Sequence, residues 1–115
     1  MKVAIVGSRE FRGLDRVDAY IKSLSKGTVV VSGAARGVDR RAAAQARLRE
    51  LEVVEYYAEW WKYSKQAGFM RNTTIVENSD KVVAFWDGKS KGTLDTITKA
   101  LYADNVKEVI IYKEI

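Results

Sequence analysis

The sequence predicts an α/β fold of the Rossmann-like type, a three-layer sandwich around a five-stranded parallel sheet. Three apolar runs, at residues 3–6, 29–31 and 82–86, each end in a loop of Gly, Ser and basic residues, and a helical pattern follows each loop. Strands that alternate with helices form parallel sheets with right-handed crossovers. The 115 residues have the length of one domain, so we predict a single domain over residues 1–115.

The elements can be placed in order along the chain. Strands are predicted at residues 2–6, 28–31, 52–57, 81–86 and 107–112. Val17, Tyr20, Ile21 and Leu24 form one apolar helical face, which indicates the first helix. Further helices are predicted at residues 38–51, 64–79 and 93–103, the last with Thr93 as its N-cap. An aromatic segment, residues 57–63, follows the third strand.

The expected strand order, 3-2-1-4-5, also predicts where a ligand binds. In this order, successive strands are added on one side of the first strand and then, from the fourth strand, on its other side. Ligands of such sheets bind at the carboxyl ends of the strands beside that switch. The three Gly-containing loops lie at this edge. Because glycine allows close backbone approach and helix N-termini favour negative charge, the sequence predicts a site for a phosphate-bearing ligand.

The first two loops supply eight of the fourteen candidate ligand-binding residues, which are Gly7, Ser8, Arg9, Ser32, Gly33, Arg36, Gly37 and Asp39. Three cations, Arg36, Arg40 and Arg41, lie near a helix start, where each opposes the helix dipole by a few tenths to about 1 kcal/mol. Such an arrangement favours a bound anion. The alternative is that these side chains reach solvent and pair with Glu50 or Asp15.

The second half of the chain supplies the remaining candidates: Arg71, Asn72, Trp86, Ser90, Gly92 and Thr93. Arg71 could clamp a phosphate or ribose, or it could be an ordinary surface arginine. Trp86, at a strand end, could stack on a base, although aromatic residues belong to the core more often. Trp60 and Trp61 are interpreted as cover for a sheet edge or as a dimer contact.

Composition excludes several kinds of chemistry. The chain has no Cys and no His, which excludes thiolate nucleophiles, imidazole bases and the usual zinc ligands, so we expect no metal and no cofactor. Neither a Walker A pattern nor a complete Gly-x-Gly-x-x-Gly fingerprint occurs. No signal peptide and no apolar stretch of about 20 residues is present, so we expect a cytoplasmic protein without a membrane partner.

Four motifs together resemble the small Rossmann-like domains of the SLOG superfamily, in particular its YspA-like group. They are Val-Gly-Ser-Arg-Glu-Phe, Ser-Gly-Ala-Ala-Arg-Gly-Val-Asp, Ala-Gly-Phe-Met-Arg-Asn and Ala-Phe-Trp-Asp-Gly-Lys-Ser-Lys-Gly-Thr. The resemblance covers nearly the whole chain, with the motifs in the same order. It implies a Rossmann-like fold and a nucleotide-type ligand.

Two more distant families share part of these motifs. The LOG phosphoribohydrolases have a catalytic arginine to which Arg71 is similar in position, and a loop Pro-Gly-Gly-x-Gly-Thr-x-x-Glu. In this chain Thr96 occupies the position of that glutamate, and Asp95 is one residue short of it. The DprA family, which binds single-stranded DNA, has a Ser-Gly-x-Ala-x-Gly-x-Asp motif similar to residues 32–39 and an arginine–asparagine pair similar to Arg71 and Asn72.

We therefore predict a module that binds a nucleotide or nucleotide-derived ligand, as a sensor of such a signal. One alternative is a single-stranded nucleic-acid binder with an electrostatic track of Arg36, Arg40, Arg41 and Lys91. Another is a hydrolase of an N-glycosidic or phosphoester bond in a nucleotide, with Arg71 as a catalytic residue and Glu10, Asp39 or Asp95 as the acid. A homodimer is expected, because dimers are common among the relatives.

Overall fold

The computed structural model describes residues 1–115, and its sheet has the predicted topology. The strands are β1 (Lys2–Gly7), β2 (Val29–Ser32), β3 (Glu52–Glu55), β4 (Lys81–Trp86) and β5 (Glu108–Lys113). All neighbouring strands are parallel, and their order is β3-β2-β1-β4-β5. The predicted α/β, Rossmann-like fold and strand order are therefore confirmed.

Helices cover both faces of the sheet. They are α1 (Leu14–Ser23), α2 (Val38–Leu48), α3 (Trp60–Tyr63), α4 (Ala67–Glu77) and α5 (Lys91–Tyr102). Along the central strand β1, Val3 and Ile5 pack into a core with α1 and α2, whereas Ala4 and Val6 pack into a second core with α4 and α5. This alternation follows from the two-residue period of a strand and produces three layers.

The predicted helix at residues 64–79 is wrong in its first turn. The chain forms the short helix α3 and a 3-10 turn at Ser64–Gln66 before α4 begins at Ala67. Ser64 has a φ of 53°, a left-handed conformation that interrupts a right-handed helix. No helix has both the length and the apolar character that a bilayer-spanning segment requires.

Two predicted elements are longer than the observed ones. The helix predicted at residues 38–51 ends at Leu48, because Glu50 adopts a φ of 60°. The turn that follows places Leu51 in the core with only 7% of its surface exposed. The strand predicted at residues 52–57 ends at Glu55, although the Tyr56 N–H still donates to the Ser32 carbonyl oxygen at 2.9 Å.

Candidate functional site

The loops after β1, β2 and β4 converge at the carboxyl edge of the sheet and enclose a cleft of about 320 Å³, here named the primary cleft. Its lining includes nine residues that the sequence singled out: Gly7, Arg9, Glu10, Asp39, Arg71, Asn72, Ser90, Gly92 and Thr93. The cleft lies between β1 and β4. Successive strands are added on one side of β1 up to β3 and on its other side from β4 onward, and sheets of this type bind ligands at that switch point.

Two glycines allow the loops to approach one another. A Cβ on Gly7 would lie 2.6 Å from the Phe85 carbonyl oxygen and 2.6 Å from Val38 Cγ2, so only glycine fits between β4 and the start of α2. Gly37 has a φ of +81°, and a Cβ there would lie 2.5 Å from the Arg9 carbonyl oxygen. The glycines thus have a structural role at the edge of the site.

Arg71 is the central cation of the primary cleft. It lies on α4, is partly buried, and donates from Nε to Asn72 Oδ1 at 2.9 Å and from a terminal nitrogen to the Gly33 carbonyl oxygen. No carboxylate oxygen lies within 4.0 Å of its side-chain nitrogens. Six other cationic side chains in the protein do have such a carboxylate partner. Burial lowers the pKa of the Arg71 guanidinium; the charge of Asp39 opposes that change, and the charge of Arg9 adds to it.

Asn72 fixes the position of Arg71 relative to α5. Its side chain is buried, with 5% exposure, and its Nδ2 donates to the Gly92 carbonyl oxygen at 3.2 Å and to Asp95 Oδ2 at 3.1 Å. Because its Oδ1 also accepts from Arg71 Nε, one side chain connects the guanidinium to the first turns of α5.

Asp39 is the buried acid of the primary cleft. Only 4% of the residue is exposed, and Oδ2 accepts a hydrogen bond from the Ala35 N–H at 3.4 Å. Burial raises the pKa of this carboxyl group to about 6, while the charge of Arg71 and hydrogen bonds from nearby backbone N–H groups oppose the rise. A raised pKa in a cleft is typical of functional sites.

The start of α5 forms the opposite wall, and here the predicted cap is wrong. Ser90 is the N-cap, because its Oγ accepts from the Thr93 N–H at 3.3 Å. Thr93 lies inside the helix, and its hydroxyl donates to Ser90 Oγ at 3.1 Å. The N–H groups of Lys91 and Gly92, at the first helical positions, have no intrahelical acceptor and give this wall a positive partial charge.

Four of the predicted ligand-binding residues do not line the primary cleft or the cavity next to it: Ser8, Ser32, Gly37 and Trp86. Ser8 is 1% exposed and accepts from the Asp87 N–H at 3.1 Å, which joins the loops after β1 and β4. Ser32 is fully buried and accepts from the Ala34 N–H at 3.1 Å. Trp86 packs against the core beside α4 and α5, and its ring N–H donates to the Ser90 carbonyl oxygen at 3.1 Å.

A second cavity of about 590 Å³, here named the aromatic cavity, adjoins the primary cleft. The two share Arg9, Ala35 and Arg71. The aromatic cavity also contains the predicted residues Gly33 and Arg36, and its remaining lining is Ala34, Arg40, Tyr57, Ala58, Trp60 and Trp61. Trp60 and Trp61 line this cavity and are 51% and 80% exposed.

The three cations near the start of α2 have different surroundings. Arg41 binds Asp18 of α1 through two hydrogen bonds of 2.8 and 2.6 Å and lines neither cavity, so the structure does not bring it to the candidate site. Its partner is neither Asp15 nor Glu50. Arg36 pairs with Glu10 at 2.7 Å on the exposed rim, and Arg40 has no carboxylate partner.

Asp95, one of the three candidate acids, does not line the primary cleft. Its Oδ2 lies 2.8 Å from Lys99 Nζ and accepts a hydrogen bond from Asn72. Its neighbour Thr96 lines the primary cleft and donates to the Gly92 carbonyl oxygen at 3.3 Å. Glu10 and Asp39 are therefore the candidate acids that border the cleft.

Sequence reasoning missed Asp87, which shapes the loop after β4 and lines the primary cleft. Its Oδ1 accepts from the N–H groups of Lys89 and Ser90 at 2.8 Å each, and these bonds hold the pKa of Asp87 below its usual value. An Asp-Gly pair directly after a strand is a turn signal that could have identified this residue. Ala35, Val6 and Ile75 also line the cleft and carry no such signal.

Fold and site together define a Rossmann-like α/β protein with a cleft lined by both cationic and acidic side chains at the point where strand order reverses. A family model describing the YspA, cpYpsA-related SLOG family matches residues 1–63, which is more than half of the chain. The protein therefore belongs to this SLOG family, as the motifs predicted. No curated protein matches the sequence.

One solved structure with the same fold is DNA processing protein A (DprA) from Streptococcus pneumoniae. The two superpose with a TM-score of 0.81 at 22% sequence identity. The match covers 96% of this chain and 49% of that one, so this chain spans about half the length of its structural neighbour. This similarity confirms the fold.

Proposed function

We propose that the protein binds a nucleotide or nucleotide-derived ligand in the primary cleft, as a sensor of such a molecule. The observation that carries the proposal is Arg71, a partly buried guanidinium without a carboxylate partner. Arginine in this state favours a phosphate, which it can bind through charge-assisted and often bidentate hydrogen bonds. Arg9 and the start of α5 add positive potential on either side.

Calorimetry of the Arg71→Ala variant tests this proposal. Removing the guanidinium should weaken binding of AMP or another nucleoside monophosphate by roughly 1.5–3 kcal/mol, the range for hydrogen bonds that involve a charged group. Arg41→Ala is the matched control, because Arg41 binds Asp18 outside both cavities and its loss should leave the affinity unchanged. Equal weakening by both variants would contradict a specific role for Arg71.

A second candidate function is single-stranded nucleic-acid binding, and the aromatic cavity favours it. Arg9, Arg36 and Arg40 lie there beside the exposed rings of Trp60 and Trp61. Cations that follow a phosphate backbone and aromatic rings on which bases stack are the usual components of such sites. The structural neighbour is a DNA processing protein by its name, which supports keeping this candidate.

A nucleotide hydrolase has less support. Thr96 stands where the LOG phosphoribohydrolases have their glutamate, and Asp95 is bound by Lys99 and Asn72. Arginine alone cannot protonate a leaving base, because its guanidinium group keeps its proton in proteins. We expect no release of adenine when AMP is incubated with the protein and followed by chromatography. Steady release that Arg71→Ala abolishes would instead assign the acid to Asp39 or Glu10.

A further inference from the structure

One oxygen of the buried Asp39 carboxyl group has no hydrogen bond of good geometry within the protein. Oδ2 accepts from the Ala35 N–H, whereas Oδ1 is fully buried and no donor meets hydrogen-bond geometry with it, although the backbone N–H groups of Gly7 and Gly33 lie close enough to lower the pKa of the carboxyl group. Proteins pair nearly all buried polar atoms, because an unpaired one loses its hydration without compensation. Asp39 lines the primary cleft, so a molecule in the cleft is the available source of a donor.

Asp39 and Arg71 face the same part of the cleft. A Cβ built on Gly33 would lie 2.8 Å from Asp39 Oδ2 and 3.0 Å from a terminal nitrogen of Arg71, so both charged groups border this glycine. A fully ionised phosphate has only acceptor oxygens and can satisfy Arg71 but not Asp39. An occupant that satisfies both groups needs an anionic part and a neighbouring hydroxyl or N–H group.

We propose that the Asp39 carboxyl group accepts a hydrogen bond from a sugar hydroxyl of the ligand, so that the cleft prefers ribonucleotides to the deoxy forms that lack this hydroxyl. The inference rests on the proposed nucleotide site and adds the chemistry of the sugar to it. The phosphate lies toward Arg71 and Arg9, and the ribose edge lies over the start of α2, where Asp39 is held.

The test is calorimetry with AMP, GMP, CMP and UMP and with their 2′-deoxy and 3′-deoxy forms. For the wild-type protein, one deoxy series should bind at least about ten-fold more weakly, the effect of losing a hydrogen bond to a charged group. In Asp39→Ala this ratio should fall to about one, because no acceptor remains. Asp39→Asn keeps the side-chain volume and should give an intermediate ratio if the alanine variant does not fold.

Asp18→Asn is the control, because it removes a carboxylate that pairs with Arg41 outside the cleft, and it should leave the ratio unchanged. Equal binding of all sugar forms to the wild-type protein, with Arg71 still required, would overturn the sugar assignment and leave the proposed nucleotide site intact. Discrimination that persists in both Asp39 variants would also overturn it, because another group then binds the hydroxyl. Failure of every nucleotide to bind would overturn both proposals.

Discussion

At the scale of single residues, Asp39 makes the stability of the fold depend on pH. Burial raises its pKa to about 6 from an ordinary value of 3.8. The folded protein therefore holds the proton more tightly than the unfolded chain does. The resulting stabilisation is complete at low pH and is lost as the pH rises from about 4 through about 6, by an amount of about 3 kcal/mol.

Urea denaturation of the wild type and of Asp39→Asn across this pH window measures the effect. The free energy of unfolding of the wild type relative to the variant should decrease as the pH rises and level off above about 6. Asp18 is the comparison, because its hydrogen bond with Arg41 lowers its pKa. The stabilisation that Asp18 contributes should therefore be present at neutral pH and be lost as the pH falls. A wild-type-to-variant difference that stays constant with pH would show that the Asp39 pKa is not raised.

At the scale of secondary-structure elements, replacing glycine by alanine should have different effects on stability at two positions beside the cleft. Gly7→Ala places a Cβ 2.6 Å from β4 and from α2, and such overpacking should lower the free energy of unfolding by about 1–3 kcal/mol. Gly92 lies in the first turn of α5, and a Cβ there meets no atom within 4 Å. Gly92→Ala should leave stability unchanged or raise it by up to about 1 kcal/mol.

Chemical denaturation of the two glycine variants checks this difference. Equal destabilisation would mean that the close contact of β1 with β4 and α2 is absent in solution. The comparison also separates two kinds of glycine that look alike in the sequence. Gly7 is required by packing between elements, whereas a Cβ on Gly92 would meet only open space at the start of α5.

At the scale of the whole molecule, the salt dependence of binding separates the two candidate ligands. Each phosphate that the protein neutralises on a single strand contributes a slope of about −0.7 to the logarithm of affinity against the logarithm of salt concentration. A mononucleotide in the primary cleft should show a shallow slope. An oligonucleotide that also occupies the aromatic cavity should show one several times steeper, because Arg36 and Arg40 lie there.

Titrations at several salt concentrations, with a mononucleotide and with an oligonucleotide, provide the measurement. Equal affinities and equal slopes for the two ligands would exclude the nucleic-acid function. The net charge of +5 belongs to the same scale, because it favours any anionic partner without selecting one. The homodimer expected from the resemblance stays a prediction.

The sequence by itself determined the sheet, its strand order and the edge of the sheet at which the primary cleft lies. These depend on local signals, namely apolar runs of strand length and loops with glycine after them, and on crossover rules that hold for all such chains. The motifs also identified the SLOG family, to which the match over residues 1–63 assigns the chain. Element ends were less predictable, because single left-handed residues such as Glu50 and Ser64 set them.

Only the tertiary structure decided which polar side chains are available to a ligand. Ser8, Ser32 and Arg41 are polar residues that the sequence indicated for the site, as it did Arg71 and Asp39. In the folded protein, however, each of the three forms hydrogen bonds with other groups of the protein and does not line the primary cleft. Arg41 meets Asp18 across 23 residues of chain, and no local pattern predicts such a pair. The lack of a carboxylate partner for Arg71 and the missing hydrogen bond at Asp39 Oδ1 become visible only when every neighbouring group is in place, because hydrogen bonding and burial are properties of the folded surroundings.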